Sequence, residues 1–192
     1  MTSPLWTSIS ASAATYGHAT ENWAATGVSI DTRTMNEGDL FIAVTGPNFD
    51  GHDFVDDAFD AGAAAALVEQ VDILEDRPGL VVEDTMLAMS ALGVAARERS
   101  AAQIAAITGS VGKTGTKEAL AHVLSAQGNT SFSQRSLNNH WGVPLSLARL
   151  PNNAKYGIFE IGMSQPGEIT PLTQLVRPHV AVITAIGSAH RE

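Results

Sequence analysis

Short apolar runs separated by polar, glycine-bearing segments set the rhythm of this chain. In the first hundred residues VSIDT (28–32), DLFIAV (39–44), AAALV (64–68) and GLVVE (79–83) read as strands. FVDDAFDAGA (54–63) and DTMLAMSALGVAARER (84–99) read as helices. In the second of these Met86, Met89, Leu92 and Ala96 recur at helical spacing, and Asp84 stands where an N-cap belongs. Its two methionines read as core filler. From residue 101 the alternation repeats with strands QIAAIT (103–108), YGIFEI (156–161) and HVAVITAI (179–186), and a further one near NTSFS (129–133). Helices are predicted over about 113–127, 142–149 and 167–176. Apolar strands alternating with helices imply an α/β fold whose parallel sheet carries helices on both faces.

This pattern divides the chain into a small N-terminal α/β domain, residues 1–100, and a P-loop-type parallel-sheet domain, residues 101–192, with the boundary near Arg97–Ala102. The last residues, Ala189-His190-Arg191-Glu192, follow directly on a core strand, so the expectation is of an incomplete sheet and an unfinished sequence.

Composition narrows the function classes. The net charge of −9 argues against nucleic acid as a partner, because that surface needs basic residues. There are no cysteines, hence no disulfide framework and no thiolate zinc site. No segment reaches the roughly 18–20 uninterrupted apolar residues of a membrane span, and MTSPLWTSIS lacks a basic start and an apolar h-region. A cytoplasmic, monomeric protein is expected. Anionic ligands must then be held by local donors rather than by overall charge.

The segment AAITGSVGKTGTKEAL (105–120) supplies such donors. A buried strand runs into a glycine-rich turn and a helix start, the layout of a loop that wraps nucleotide phosphates. The motif is Thr108, Gly109, Ser110, Val111, Gly112, Lys113, Thr114 and not the plain G-x-x-x-x-G-K-[ST] pattern, whose first glycine would fall on Ile107. Gly109 and Gly112 let the backbone approach an anion. Lys113 can reach terminal phosphates, and the Thr114 hydroxyl suits Mg²⁺.

Ligands of parallel sheets bind beyond the carboxyl ends of the strands. Glu160 closes YGIFE there, and His190 follows VAVITAIGSA. A carboxylate ending an apolar strand is either a metal ligand or half of a structural ion pair. Imidazole is unusual for magnesium, so spacing alone does not make His190 a ligand. Asn138 and Asn139, before Gly-Val-Pro, read as turn chemistry and also suit orienting a substrate beside phosphates. In the first segment SIDTR (29–33) and TGPNFDGHDF (45–54) offer Arg33 and His52 to an anionic or sugar ligand, or form a solvated Asp-Gly loop.

These residues resemble the Mur ligase family, ATP-dependent amide ligases of peptidoglycan stem-peptide synthesis. Four blocks carry the resemblance across nearly the whole chain: SIDTRTMNEGDLFIAVTGPNFDGHDF, AITGSVGKTGTKE, SLNNHWGVPLSLARL and FEIGMSQPGEITPLTQLVRPHVAVITAIGSAH. The N-N-x-x-G-V-P-L block, followed by E-I-G-M-x-x-P-G-E-I, points to the branch that adds D-alanyl-D-alanine. The resemblance implies that residues 108–115 (Thr108 to Gly115) bind ATP, with Lys113 on the β/γ-phosphates and Thr114, Glu160 and His190 at the Mg²⁺ positions. It implies that Asn138 and Asn139 lie near the reacting phosphate. It implies that Ser29, Asp31, Arg33, Thr45 and Gly46 cradle the UDP end of UDP-N-acetylmuramoyl-tripeptide, the co-substrate being D-alanyl-D-alanine. Gly115 departs from a threonine common in the family, and Arg191 from an apolar residue. The family's carbamylated lysine, its adenine contacts and its C-terminal domain lie downstream of the Ala-His pair, so these 192 residues alone are expected to be inactive. The alternatives are a non-catalytic fragment that binds UDP-muramyl peptide or nucleotide, and a Mur-type ligase adding another amino acid. A kinase or GTPase is disfavoured for want of an N-K-x-D motif, and folylpolyglutamate synthase because it lacks a substrate domain like residues 1–100.

Overall fold

A computed structural model describes residues 3–46, 48–135, 137–163 and 165–187. The chain forms two compact units, Met1–Leu92 and Gly93–Glu192. The division falls inside a helix, whereas composition places the boundary at that helix's end.

The first unit opens with β1 (Trp6–Thr7), α1 (Ser8–Thr15), β2 (His18–Ala19) and β3 (Ala24–Ala25). None of these is predicted from the sequence pattern. Two-residue strands carry no periodicity, and α1 buries only Ser8 and Ala11, too little to write a stripe. A capping box at Thr7 and Ser10 starts α1, and Tyr16 in the left-handed region ends it. There follow β4 (Gly27–Ser29), β5 (Asp39–Ile42), the hairpin β6 (Thr45–Gly46) and β7 (Phe49–Asp50), α2 (Val55–Asp60), β8 (Ala65–Val68) and β9 (Gly79–Val81). The main sheet has the order β2-β9-β8-β5-β4, parallel except for the β2 edge. Phe41, Val55, Ala58, Val68 and Leu74 form its core with Ala66. Helix α3 (Thr85–Arg99) begins as expected, with Asp84 Oδ1 accepting from Leu87 N at 2.8 Å.

The second unit contains β10 (Gln103–Thr108), α4 (Lys113–Ser125), β11 (Thr130–Phe132), α5 (Gly142–Ala148), β12 (Tyr156–Glu160), α6 (Ile169–Val176) and β13 (Val180–Ile183). Its sheet, β11-β12-β10-β13, is parallel throughout. Helix α4 packs on β10, β11 and β12, while α5 and α6 pack on each other, α5 also against β12 and α6 against β10. Strand alternation puts Ile107, Ile158 and Glu160 on the side facing α4, since Ile107 pairs with Glu160 and Ile158 shares Glu160's parity. Ile107 and Ile158 form a core cluster with Ala121 of α4. One helix stripe, Thr114, Lys117, Ala121 and Leu124, therefore faces this side, apolar far from the turn and polar near it. The long run 179–186 pairs only over Val180–Ile183, and as the edge strand it leaves Val180 59% and Ile183 62% exposed.

Candidate functional site

The turn between β10 and α4 bonds four of its carbonyls, those of Thr108, Gly109, Val111 and Gly112, and among the described residues leaves two successive N–H groups outside that network. Gly109 has φ +138° and Gly112 has φ +82°, conformations that side chains resist. A Cβ on Gly109 would also run into Thr184 and the Ala185 backbone. The Thr108 carbonyl accepts from Thr184 N at 2.9 Å, and the Gly109 carbonyl accepts from Lys113 Nζ at 2.7 Å. The Val111 carbonyl accepts from Thr184 Oγ1 at 2.6 Å and the Gly112 carbonyl from Thr116 N at 3.0 Å. Ser110 N donates to the Ala185 carbonyl at 2.8 Å, and Ser110 Oγ bridges to the Gly187 backbone. Among the described residues no such bond uses the N–H of Val111 or Gly112. With the first N–H groups of α4 they form a row of backbone donors at a positive helix end. That donor set fits a polyphosphate.

Behind the turn lies the carboxylate. Glu160 ends β12 and is 1% exposed. Its Oε2 accepts from Thr114 Oγ1 at 3.0 Å and its Oε1 from Asn138 Nδ2 at 2.8 Å. Its own N–H donates to Ser133 Oγ at 3.2 Å. Thr114 and Glu160 thus bring a hydroxyl and a carboxylate oxygen together behind the phosphate turn, the hard-oxygen chemistry that magnesium takes with water and phosphate completing its shell. Among the described residues no cluster of three or more His, Asp or Glu side chains could hold a metal. His190 lies outside the described residues.

The paired asparagines part company. Asn138 holds Glu160, and its carbonyl accepts from Gly162 N at 2.7 Å. Asn139 Oδ1 accepts from Trp141 N at 3.2 Å and Gly142 N at 2.9 Å, satisfying backbone at the start of α5. Gly115 is exposed, with open space where a side chain would begin.

In the first unit the expected residues lie at the carboxyl ends of β4 and β5, which are parallel neighbours. Ser29 Oγ donates to the Asp31 carbonyl, and Arg33 forms a bidentate pair with Asp31 at 2.8 Å for both bonds. The hydrogen bond and then the charge of Asp31 raise the Arg33 guanidinium above its ordinary value. Thr45 Oγ1 donates to Asp50 Oδ1 at 3.1 Å, and Gly46 pairs with Phe49. Both His52 nitrogens have structural partners, Nδ1 with Asp50 at 2.6 Å and Nε2 accepting from Glu69 N at 3.1 Å. The geometry therefore makes His52 a brace between loop and sheet. The His52 backbone N–H and then its ring hold the Asp50 carboxyl below the usual carboxylate value.

Sequence reasoning missed Lys117, Ser133 and Thr184. The signals were a lysine in the sheet-facing stripe of α4 and a threonine inside the apolar run 179–186.

A model of the Mur ligase family, catalytic domain, matches residues 24–127, and one of the Mur ligase middle domain matches residues 107–192. The chain is 43% identical over 166 residues to UDP-N-acetylmuramoyl-tripeptide–D-alanyl-D-alanine ligase of Escherichia coli, covering 86% of this chain and 36% of that protein. The enzyme of the same name from Bacillus subtilis is 39% identical over 168 residues, 86% of this chain and 37% of that protein. A crystal structure of MurF from Acinetobacter baumannii superposes with a TM-score of 0.81 at 37% identity, over 96% of this chain and 42% of that one. MurF ligase from Thermotoga maritima in complex with ADP gives 0.66 at 34% identity, over 86% and 39%. The chain spans little more than a third of the length of these curated relatives. From the family match over more than half its length, the chain belongs to the Mur ligase family.

Proposed function

We propose that this chain carries the nucleotide-phosphate and uridine-substrate portions of an ATP-dependent amide ligase that joins D-alanyl-D-alanine to UDP-N-acetylmuramoyl-tripeptide. The observation that carries the reading is the turn whose Gly109, Val111 and Gly112 carbonyls are bonded while its Val111 and Gly112 N–H groups remain, set against the Thr114–Glu160 contact. The names of the relatives supply the substrates. In the reaction the tripeptide carboxylate attacks the γ-phosphorus of ATP and ADP leaves, giving an acyl phosphate. The amine of D-alanyl-D-alanine then attacks the acyl carbon, phosphate departs and the amine loses its proton.

This chain's residues would contribute positioning and charge neutralisation. The turn's N–H groups and Lys113 hold the β- and γ-phosphates. Thr114 and Glu160 would hold Mg²⁺, whose chemistry there is to neutralise phosphate charge. Asn138 orients Glu160. In the first unit, Ser29, Asp31, Arg33, Thr45 and Gly46 would meet the UDP end. His190 belongs to the proposed metal positions by resemblance alone. Domain roles follow: residues 1–100 for the uridine substrate and 101–192 for ATP. Among the described residues no helix is long and apolar enough to cross a membrane, and the proposal places a monomer in the cytoplasm.

Calorimetric titration tests this. The 192-residue chain should bind UDP-N-acetylmuramoyl-tripeptide more tightly than UDP-N-acetylglucosamine, should bind ADP with Mg²⁺, and should not form peptide product. A folded chain that binds neither ligand overturns the reading.

A further inference from the structure

Lys117 is 1% exposed, in the stripe of α4 that faces the sheet. The next residue of that stripe, Ala121, joins the apolar cluster with Ile107 and Ile158. An apolar side chain would fit the pattern at 117, and burying an ammonium there needs a reason. Its Nζ donates to the Arg135 carbonyl at 2.8 Å, and no carboxylate pairs with it among the described residues. Arg135 stands at φ +50°, in the left-handed region that disfavours side chains other than glycine. Two unfavourable features thus meet at one hydrogen bond.

Along the chain, that bond lies between two of the three hydrogen-bond partners of Glu160. Before it comes Ser133, whose hydroxyl accepts from Glu160 N. After it comes Asn138, whose amide donates to Glu160 Oε1. On the helix side Thr114, one turn ahead of Lys117 in the same stripe, donates to Glu160 Oε2. Helix α4 therefore meets this region at two points: at Glu160 itself through Thr114, and at the Arg135 carbonyl, three residues before Asn138 in sequence, through Lys117.

We propose that Lys117 is a positioning residue: its buried ammonium fixes the Arg135 carbonyl and so the turn that delivers the Asn138 amide to Glu160. It acts through Asn138 and touches neither phosphate nor metal. The binding consequence rests on the proposed nucleotide site, while the structural consequence does not, so the two are read separately.

The first readout is hydrogen exchange of the Asn138 side-chain amide by NMR in the ligand-free chain. Lys117→Met should accelerate it about tenfold, with the backbone amides of β10 unchanged. Lys117→Arg, which keeps charge and donors, should restore it to within about threefold. Unchanged Asn138 exchange in a folded Lys117→Met chain overturns the proposal. The second readout is ADP affinity with and without Mg²⁺ across the cycle of Lys117→Met and Asn138→Ala. Lys117→Met should weaken Mg²⁺-dependent binding about fivefold or more in the wild-type background and less than about twofold in Asn138→Ala. Losses that multiply overturn the proposal, because a residue acting independently on the fold is not silenced by removing Asn138. Should Lys117→Met fail to fold, Lys117→Gln, a shorter neutral donor, is carried through the same two measurements, and the same results support or overturn the proposal. A wild-type chain that binds no nucleotide would refute the functional reading while the exchange measurement still decides Lys117.

Discussion

Replacing Glu160 with glutamine separates two meanings of a buried carboxylate. Each of its oxygens accepts one hydrogen bond, from Thr114 at 3.0 Å and from Asn138 at 2.8 Å. Hydrogen bonds to a charged group contribute about 1.5–3 kcal/mol each, so the pair offsets roughly 3–6 kcal/mol. Burying an anion costs several kcal/mol, and no Lys, Arg or His pairs with Glu160 among the described residues. The terms nearly cancel. Glutamine keeps the shape and one acceptor while removing the charge, so stability should move by no more than about 1.5 kcal/mol. For a unit of this size that is a shift in Tm below about 10 °C. Mg²⁺-dependent ADP affinity should instead fall about tenfold or more, because a hard anionic ligand is lost, with metal-free affinity within about twofold. Thermal unfolding by circular dichroism and calorimetric titration with and without Mg²⁺ make the comparison. Destabilisation beyond about 3 kcal/mol with the Mg²⁺ dependence intact would make Glu160 a structural brace and not a metal ligand.

Four glycine, asparagine and aspartate substitutions extend the test. Gly109→Ala should cost about 1–3 kcal/mol and abolish nucleotide binding, since φ is +138° and Thr184 occupies the Cβ position; denaturant unfolding with ADP titration measures both. Gly115→Ala, on an open helix face, should stabilise by about 0.5–1 kcal/mol and leave ADP affinity within about twofold in the same assays. Asn139→Ala should cost about 1 kcal/mol through its lost contacts at the start of α5; a much larger effect on Mg²⁺–ADP affinity than on stability would show contact with ligand instead. The Asp50 carboxyl is held below its ordinary value, so its contribution is present above the unfolded carboxylate value and lost as pH falls through the folded one. Unfolding followed from pH 6 to pH 2 should accordingly show a shallower acid loss for Asp50→Asn.

How far the sequence could be read depended on where each element's information resides. Strand β12 is buried at four of five positions and β10 at three of six, and such apolar runs are written in composition. The phosphate turn was legible because only glycine tolerates its two conformations. The first 27 residues were not, because α1 buries a serine and an alanine and its flanking strands are two residues long. The Thr114–Glu160 contact followed from strand-end logic, but Asn138 and Asn139 could not be told apart by identity. Only the fold gives one to a carboxylate and the other to backbone. Lys117 was hidden because a lysine on a helix is ordinary until the stripe facing the sheet is known. His52, attractive as a ligand in the sequence, is held at both nitrogens once Asp50 and Glu69 are placed.

The Val111 and Gly112 N–H groups after β10 are proposed to receive nucleotide phosphate. Titrating ¹⁵N-labelled wild-type chain with ADP and Mg²⁺, and following backbone amides by NMR, tests this proposal most directly. Saturable downfield shifts of Val111, Gly112, Lys113 and Thr114 are expected, absent in Lys113→Ala at the same concentrations. A folded chain whose four amides stay fixed at millimolar Mg²⁺–ADP would contradict it.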